Sequence, residues 1–399
     1  MVTSDLLIAA DAVHADVVAL RREIHREPEI GLHLPRTAER VLRAIDGLGL
    51  RITTGETTSG IVADLEGDRP GPTVLLRGDM DALPMPEDTG LEFASAVEGA
   101  MHACGHDAHT AMLAGAARVL AGRRDRLAGR VRFMFQPGEE GYHGARYMIE
   151  EGVLDGVDGA YALHILPNVP VGTVVTRPGP IMASADKLHF TVTGRGGHAS
   201  TPYSANDPMP VAAEIIQALQ TLVTRKVDPF DPVVVSVTQV NAGTTNNVIP
   251  EVVRMHGTLR TVSERARTRI TQRMKHLVAA IGSAHEMTAE LEAEDLYPVT
   301  VNDPGETEAV LRVARTVLGP DRGAVLPTPV MGAEDFSYVL AERPGALAYL
   351  GVCPPGVRPS EAPSCHSNRM TLDEEGMRSG VALLVGLAED FFARGGAAG

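Results

Sequence analysis

Short apolar runs at positions 60–65, 73–76, 130–135 and 159–163, each closed by glycine, proline or a charge, alternate with segments of helical spacing. That alternation is the signature of βαβ units and commits the chain to an α/β fold built on a mostly parallel or mixed sheet. Apolar residues in 6–27 recur at helical spacing until Pro28 stops them. Residues 36–48 read as a second helix ended by Gly49, and the alanine-rich 108–120 as a crossover helix.

The pattern changes near Ala185. Residues 187–193 (KLHFTVT) alternate as a half-exposed strand does. A helix at 208–224, strands at 233–240 and 252–261, a helix at 264–281 and a strand at 287–294 follow. This order, β-α-β-β-α-β, is the ferredoxin-like unit. A chain of 399 residues exceeds what one hydrophobic core usually supports, so two domains are expected. The larger comprises 1–184 and 297–399, closed by helices at 306–318 and 374–393 and a strand at 346–351. The inserted one comprises 185–296. The Gly/Ala tail after Arg394 is expected to fray.

A net charge of −15 with no Lys/Arg stripe disfavours nucleic acid, which needs a basic footprint. Apolar residues at 44% and charged residues at 22% are ordinary for a globular enzyme. No stretch reaches the roughly 18 uninterrupted apolar residues of a membrane span. The first twenty residues carry Asp5, Asp11 and Asp16 and lack the basic start of a secretory signal, so a cytoplasmic protein is expected. Its cysteines, Cys104, Cys353 and Cys365, would there remain thiols.

Reactive groups of an open α/β sheet gather beyond the carboxyl ends of its strands. There the sequence places Asp79 and Asp81 (RGDMD), Glu139 and Glu140 (QPGEEG), and His164; MHACGHDAH adds Cys104 and His106, and the loop beyond Gly351 adds His366. Thiol, imidazole and carboxylate together suit zinc, and also nickel, cobalt or manganese. The donors exceed one ion's needs, which suggests two ions roughly 3.5–4 Å apart, bridged by a thiolate or a water. Of two adjacent carboxylates, one can bind metal while the other faces a water acidified to about pKa 7.

Each of these residues has an ordinary reading when taken alone. A Glu-Glu pair is commonly solvated charge, a histidine after a strand a structural group, and a cysteine a small buried hydrophobe. Their joint placement favours chemistry. His14, His25, His33, His102, His109, His143, His189, His256, His276 and His285 lack such company and are read as structural. His109, three residues after His106, comes nearest to an exception.

The segments RGDMDALPMPE, MHACGHDAHTAMLAGAA, FQPGEEG, GRGGHASTP, NVIP and GAEDFS, flanked by REIHREPEIG and CHS, span nearly the whole chain. They resemble the amidohydrolase family of hippurate hydrolases, N-acyl-amino-acid aminoacylases and indoleacetyl-amino-acid hydrolases. The resemblance implies a mixed-sheet, zinc-peptidase-like α/β catalytic domain with an inserted ferredoxin-like satellite and dimerisation domain. It implies Cys104, His106, Glu140, His164 and His366 as ligands of two divalent ions per subunit (Zn, Mn, Ni or Co), and Glu139 as general base. Asp81 would support the centre from behind. Asp79 stands where more distant carboxypeptidase relatives place a ligand histidine, which leaves its contact with metal open.

In the inserted domain, His198 (GGHAS) matches a residue that enters the partner subunit's active site and polarises the scissile carbonyl. Asn247 (NNVIP) and Arg260 (GTLRT) match positions that hold the substrate carboxylate or the transition state. The implied assembly is a homodimer, with further association open, and the implied substrate is a small N-acyl amino acid. Asn368, Arg369 and Met370 replace the proline and aromatic that relatives often carry after the last ligand, so the acyl preference is not legible. Three alternatives stand beside this reading: cleavage of small peptides, a cysteine amidase with Cys104 as nucleophile, and a binding protein that kept the fold without turnover.

Overall fold

The structure, a computed structural model, describes residues 5–397. The chain divides into two compact units. One takes the chain up to Ile181, Val301–Thr328 and everything from Asp335 on; the other takes Met182–Thr300 and Pro329–Glu334.

The first unit opens with α1 (Asp5–Arg26), which buries Leu6, Ala10, Val17, Leu20 and Ile24 at helical spacing. The next helix, α2 (Pro35–Ile45), has proline in its first turn, where the missing N–H costs nothing. Strands β1 (Arg51–Thr54), β2 (Ile61–Glu66) and β3 (Arg69–Asp79) lead to α3 (His106–Ala121). After β4 (Ala128–Gln136) come the short α4 (Gly144–Glu150), β5 (Gly159–Leu166), β6 (Val174–Thr176) and β7 (Gly179–Met182).

The second unit contains β8 (Ala185–Thr193), β9 (Gly197–His198), α5 (Pro208–Lys226), β10 (Val233–Asn241), β11 (Val248–Ile249), β12 (Val252–Thr261), α6 (Glu264–Ala284) and β13 (Thr288–Tyr297). Its four-stranded sheet runs β10-β12-β8-β13, every neighbour antiparallel, as a ferredoxin-like topology requires. Asp207 and Ser263 cap α5 and α6 by accepting from the N–H groups of Met209 and Ala266. Ile215, Leu219, Ile270, Met274 and Val278 of these helices form one core with Leu188, Phe190, Val253 and Met255 of the sheet.

The chain then adds β14 (Thr300–Asn302), α7 (Pro304–Val317), β15 (Gly323–Val325), α8 (Ser337–Glu342), β16 (Gly345–Gly351) and α9 (Glu375–Ala393). The large sheet runs β1-β2-β4-β3-β5-β16-β6-β15. It is mixed, as expected: β4, β3, β5 and β16 are parallel, while β1 with β2, β2 with β4, and β16 with β6 are antiparallel. All seven residues of β16 are buried, as in a parallel strand covered on both faces. Leu76, Phe133 and Leu350 of the sheet share a core with Leu113 of α3 and Leu384 and Phe391 of α9. Each such side chain contributes about 1.5–3 kcal/mol on burial.

Element bounds moved in ways that bear on chemistry. Strand β3 continues to Asp79, and α3 begins at His106 rather than near residue 108. The RITT strand β1 was not foreseen, because all four of its residues are exposed and leave no apolar signal. The tail does not fray at once: Gly395 and Gly396 donate to the carbonyls of Phe392 and Phe391, while its last two residues lie outside the described ones. Among the described residues, no helix is long and apolar enough to cross a membrane.

One histidine read as structural anchors α1 to α3. His25 lies 2.8 Å from Asp107 and 3.2 Å from Glu87, and Arg21 pairs with the same Asp107 at 3.0 Å. Burial opposes the charge on His25, but Asp107 and Glu87 outweigh it and raise its pKa to about 9. A folded-state pKa above the usual 6.5 means that the stabilisation is whole below pH 6.5 and is lost as pH rises through about 9. Denaturant titrations from pH 6 to 10 should therefore show the wild type weakening on the alkaline side. His25→Gln should be about 3 kcal/mol less stable at pH 7, because it leaves a buried carboxylate underpaired, with a flatter pH curve. Equal stability at pH 7 and an unchanged slope would contradict this account of the pair.

Candidate metal centre

The parallel strands end on one edge of the large sheet, and the predicted donors of the first unit collect there. His164 sits within β5; its Nδ1 donates to the Ile165 carbonyl at 2.7 Å, which leaves Nε2 as a lone pair 3.3 Å from the Cys104 sulfur. Gly105 turns the chain from Cys104 into α3 at φ +85, and a Cβ there would lie 2.5 Å from Ile165, so only glycine fits. His366 also occupies the left-handed region at φ +67, uncommon for a residue with a Cβ. Its N–H bonds the Ala103 carbonyl at 2.8 Å and fixes the turn beside Cys104.

One donor atom each from Cys104, His106 and His164 lie within 4.8 Å of one another, and so do those of Cys104, Glu140 and His366. The two triplets share Cys104 and use all five residues that the sequence proposed as ligands. A third group joins Glu139 to His106 and Glu140. Both ring nitrogens of buried His106 and the Oε1 of Glu140 lack a well-aligned hydrogen bond. Glu140 Oε1 lies 3.2 Å from His366 Nε2 and 3.9 Å from His106 Nε2. Buried polar atoms without partners cost about 1–3 kcal/mol each unless something occupies the space between them. A divalent cation fits this donor set of thiol, imidazoles and carboxylate.

Electrostatics point the same way. Burial disfavours a charged His106, yet Asp79, Asp81 and Glu140 outweigh it and raise its pKa to about 10. Burial, with His109 and His106 close by, holds His164 neutral, well below imidazole's ordinary value. The Cys365 thiol, burial and the Glu140 and Glu139 carboxylates push the Cys104 thiol well up. Burial works against the Glu140 carboxylate, but His366 and His106 keep it below its usual range. A pocket so rich in carboxylate attracts positive charge, and a divalent ion supplies it while releasing the protons of its ligands.

The residues behind the donors are braced. The two oxygens of Asp81 accept the N–H groups of Glu139 and Glu140, both at 2.9 Å, and one lies 3.5 Å from His106 Nδ1. Asp81 thus touches the glutamate loop and a donor histidine together. Asp79 gives one oxygen to Arg77 and the other to His109 Nδ1, each at 2.6 Å. His109 Nε2 in turn accepts the Ile165 N–H at 2.8 Å. Both nitrogens of His109 are therefore committed, and Asp79, 3.6 Å from His106, stands behind the donors with its oxygens already engaged. Sequence reasoning had assigned His109 no task; its place one turn after His106 was the only signal.

The second unit holds the remaining predicted residues. Strands β9 and β11 pair Val248 with His198, and the Ala199 N–H bonds the Asn247 carbonyl at 3.0 Å, so His198 and Asn247 are neighbours. His198 Nδ1 accepts from the N–H of Ser200 at 3.1 Å and lies 2.7 Å from its hydroxyl. The proton must then reside on Nε2, in an exposed side chain. Arg260, partly buried on β12, has no ion pair among the described residues, and burial lowers its pKa.

Residues 75–390 match the peptidase family M20/M25/M40. Thermostable carboxypeptidase 1 of Saccharolobus solfataricus is 38% identical over 384 residues, covering 94% of this chain and 95% of its own. N-acetylcysteine deacetylase of Bacillus subtilis is 36% identical over 371 residues, covering 93% and 95%. Among solved structures, the Bacillus subtilis YXEP protein, described as a dinuclear metal binding peptidase from the M20 family, superposes with a TM-score of 0.82 at 33% identity, covering 95% of this chain and 98% of that one.

Proposed function

The chain belongs to peptidase family M20/M25/M40, and from that premise we propose that it hydrolyses the amide bond of N-acyl amino acids, releasing a free amino acid and a carboxylic acid. The observation that carries this reading is the pair of donor triplets sharing Cys104, with the buried Glu139 against them. Cys104, His106, Glu140, His164 and His366 would hold two divalent ions, which would supply Lewis acidity and acidify water at neutral pH.

Glu139 is the general base and then the general acid: its carboxylate takes a proton from the attacking water and returns it to the leaving amine. Asp81 serves that step by gripping the backbone N–H of Glu139. His198, contributed by the other subunit of a homodimer, donates its Nε2–H to the oxyanion as it develops. Asn247 and the guanidinium fork of Arg260 hold the substrate's carboxylate. The chain works in the cytoplasm in this reading, a compartment that keeps the Cys104 thiol available as a ligand. A cysteine-nucleophile mechanism is disfavoured, because a thiol and an imidazole are its minimal parts and it gives no task to the Glu139 and Glu140 carboxylates gathered beside Cys104 and His106.

A panel of N-acetyl, N-benzoyl and indoleacetyl amino acids and dipeptides, assayed for amine release with manganese, zinc, nickel or cobalt, tests the proposal. At least one N-acyl amino acid should turn over, and its methyl ester should lose about 100-fold or more in kcat/KM, since Arg260 would then face no carboxylate. No hydrolysis with any metal would reduce the protein to a binding relative.

A further inference from the structure

The GAEDFS segment has no task in the chemistry above, yet its aspartate is among the most heavily bonded groups beneath the candidate centre. Asp335 is fully buried. Its Oδ1 accepts from Gln136 Nε2 at 2.8 Å and Arg77 Nη2 at 3.1 Å. Its Oδ2 accepts from the same Gln136 amide at 2.9 Å and from the Ala145 N–H at 2.9 Å. Gln136 is the last residue of β4, and Ala145 lies in the first turn of α4. Between them runs the loop that carries Glu139 and Glu140, so one carboxylate ties both feet of that loop together.

The loop has little slack of its own. Gly144 bonds the Gly138 carbonyl at 3.0 Å, and a Cβ on Gly144 would lie 1.6 Å from the Pro137 oxygen. Asp81 grips its crest through the N–H groups of Glu139 and Glu140. Arg77 extends the brace to the donors, because its Nη1 pairs with Asp79 and its Nε donates to Gln136 Oε1 at 2.9 Å. Two buried carboxylates thus hold the loop at crest and base, and one buried arginine links the base to the histidines.

We propose that Asp335 is a positioning residue for the hydrolytic reaction: it sets the height and tilt of the glutamate loop and so the reach of the Glu139 carboxylate. This inference rests on Glu139 being the general base. Asp335→Asn keeps the shape but replaces an acceptor with an amide that must face Gln136, Arg77 or the Ala145 N–H, all of them donors. The loop then has to shift, and a displacement of about 1 Å at the reacting group can cost about 100-fold in rate.

The test is a double-mutant cycle on purified, metal-loaded enzyme, with kcat, KM and metal content measured for wild type, Asp335→Asn, Glu139→Gln and the double variant. The expected result is a loss of about 30- to 100-fold in kcat for Asp335→Asn, KM within about threefold and both ions retained. In the Glu139→Gln background the same substitution should change the residual rate by less than about twofold, because there is no base left to misplace. An equal fold loss in both backgrounds would make Asp335 merely structural, and a kcat within about twofold of wild type would overturn the proposal outright. Failure of the underlying reading shows separately, as a Glu139→Gln enzyme that remains active. Should Asp335→Asn not fold, Gln136→Met removes two of the bonds at Asp335 without unbalancing buried charge. It should lose about fivefold in kcat in the wild-type background only, and an equal loss in both backgrounds would again overturn the proposal.

Discussion

Glu139→Gln should retain both ions and the wild-type melting temperature while kcat falls by about 10^3- to 10^4-fold. The amide preserves the shape of the side chain, and the backbone hydrogen bond from Glu139 to Asp81 is untouched, so neither loop nor fold has reason to move. What disappears is the capacity to accept a proton from water and return it to the amine. The loss should fall on kcat, with KM changed little, since the group acts in the transition state rather than in binding. Metal content by emission spectroscopy together with steady-state kinetics decides it. A variant within about tenfold of wild-type kcat would remove Glu139 from the acid–base role, because a positioned base contributes at least about 100-fold.

Cys104→Ala should be nearly as damaging for a different reason. Its sulfur belongs to both donor triplets, whereas His366 belongs to one. Loss of the thiolate should weaken both ions, with activity reduced by on the order of 10^3, the equivalent of several kcal/mol of lost charge stabilisation. His366→Ala should lose one ion and keep the other. Dialysis of the wild type against a chelator should abolish turnover, and a divalent ion should restore it. Activity that survives complete metal removal would contradict the account and favour the cysteine nucleophile instead.

The sequence disclosed those parts of the fold whose physics is local. The buried parallel strands show as apolar runs because both of their faces are covered, and the satellite unit shows as a switch to half-exposed alternation at residue 187. Strand β1 was invisible because exposed Arg51, Ile52, Thr53 and Thr54 have no buried face to mark them. The candidate donors stood out as types, since cysteine, histidine and glutamate at strand ends are unusual company, and the structure brings them within reach of one another. Their bracing was not. His109 is committed by an N–H of β5 that lies 56 residues away, and Asp335 reaches Ala145 across 190 residues. Such contacts are made by tertiary packing, and no spacing within a segment predicts them. The turn at His366 is similar: its left-handed backbone is held by the carbonyl of Ala103, which only the fold brings near.

Anomalous diffraction from crystals grown with manganese addresses the metal centre without intermediary. Two peaks roughly 3.5–4 Å apart are expected, with the Cys104 sulfur in bonding reach of both, His106 and His164 on one and Glu140 and His366 on the other. A single peak, or ions bound away from Cys104, would contradict it.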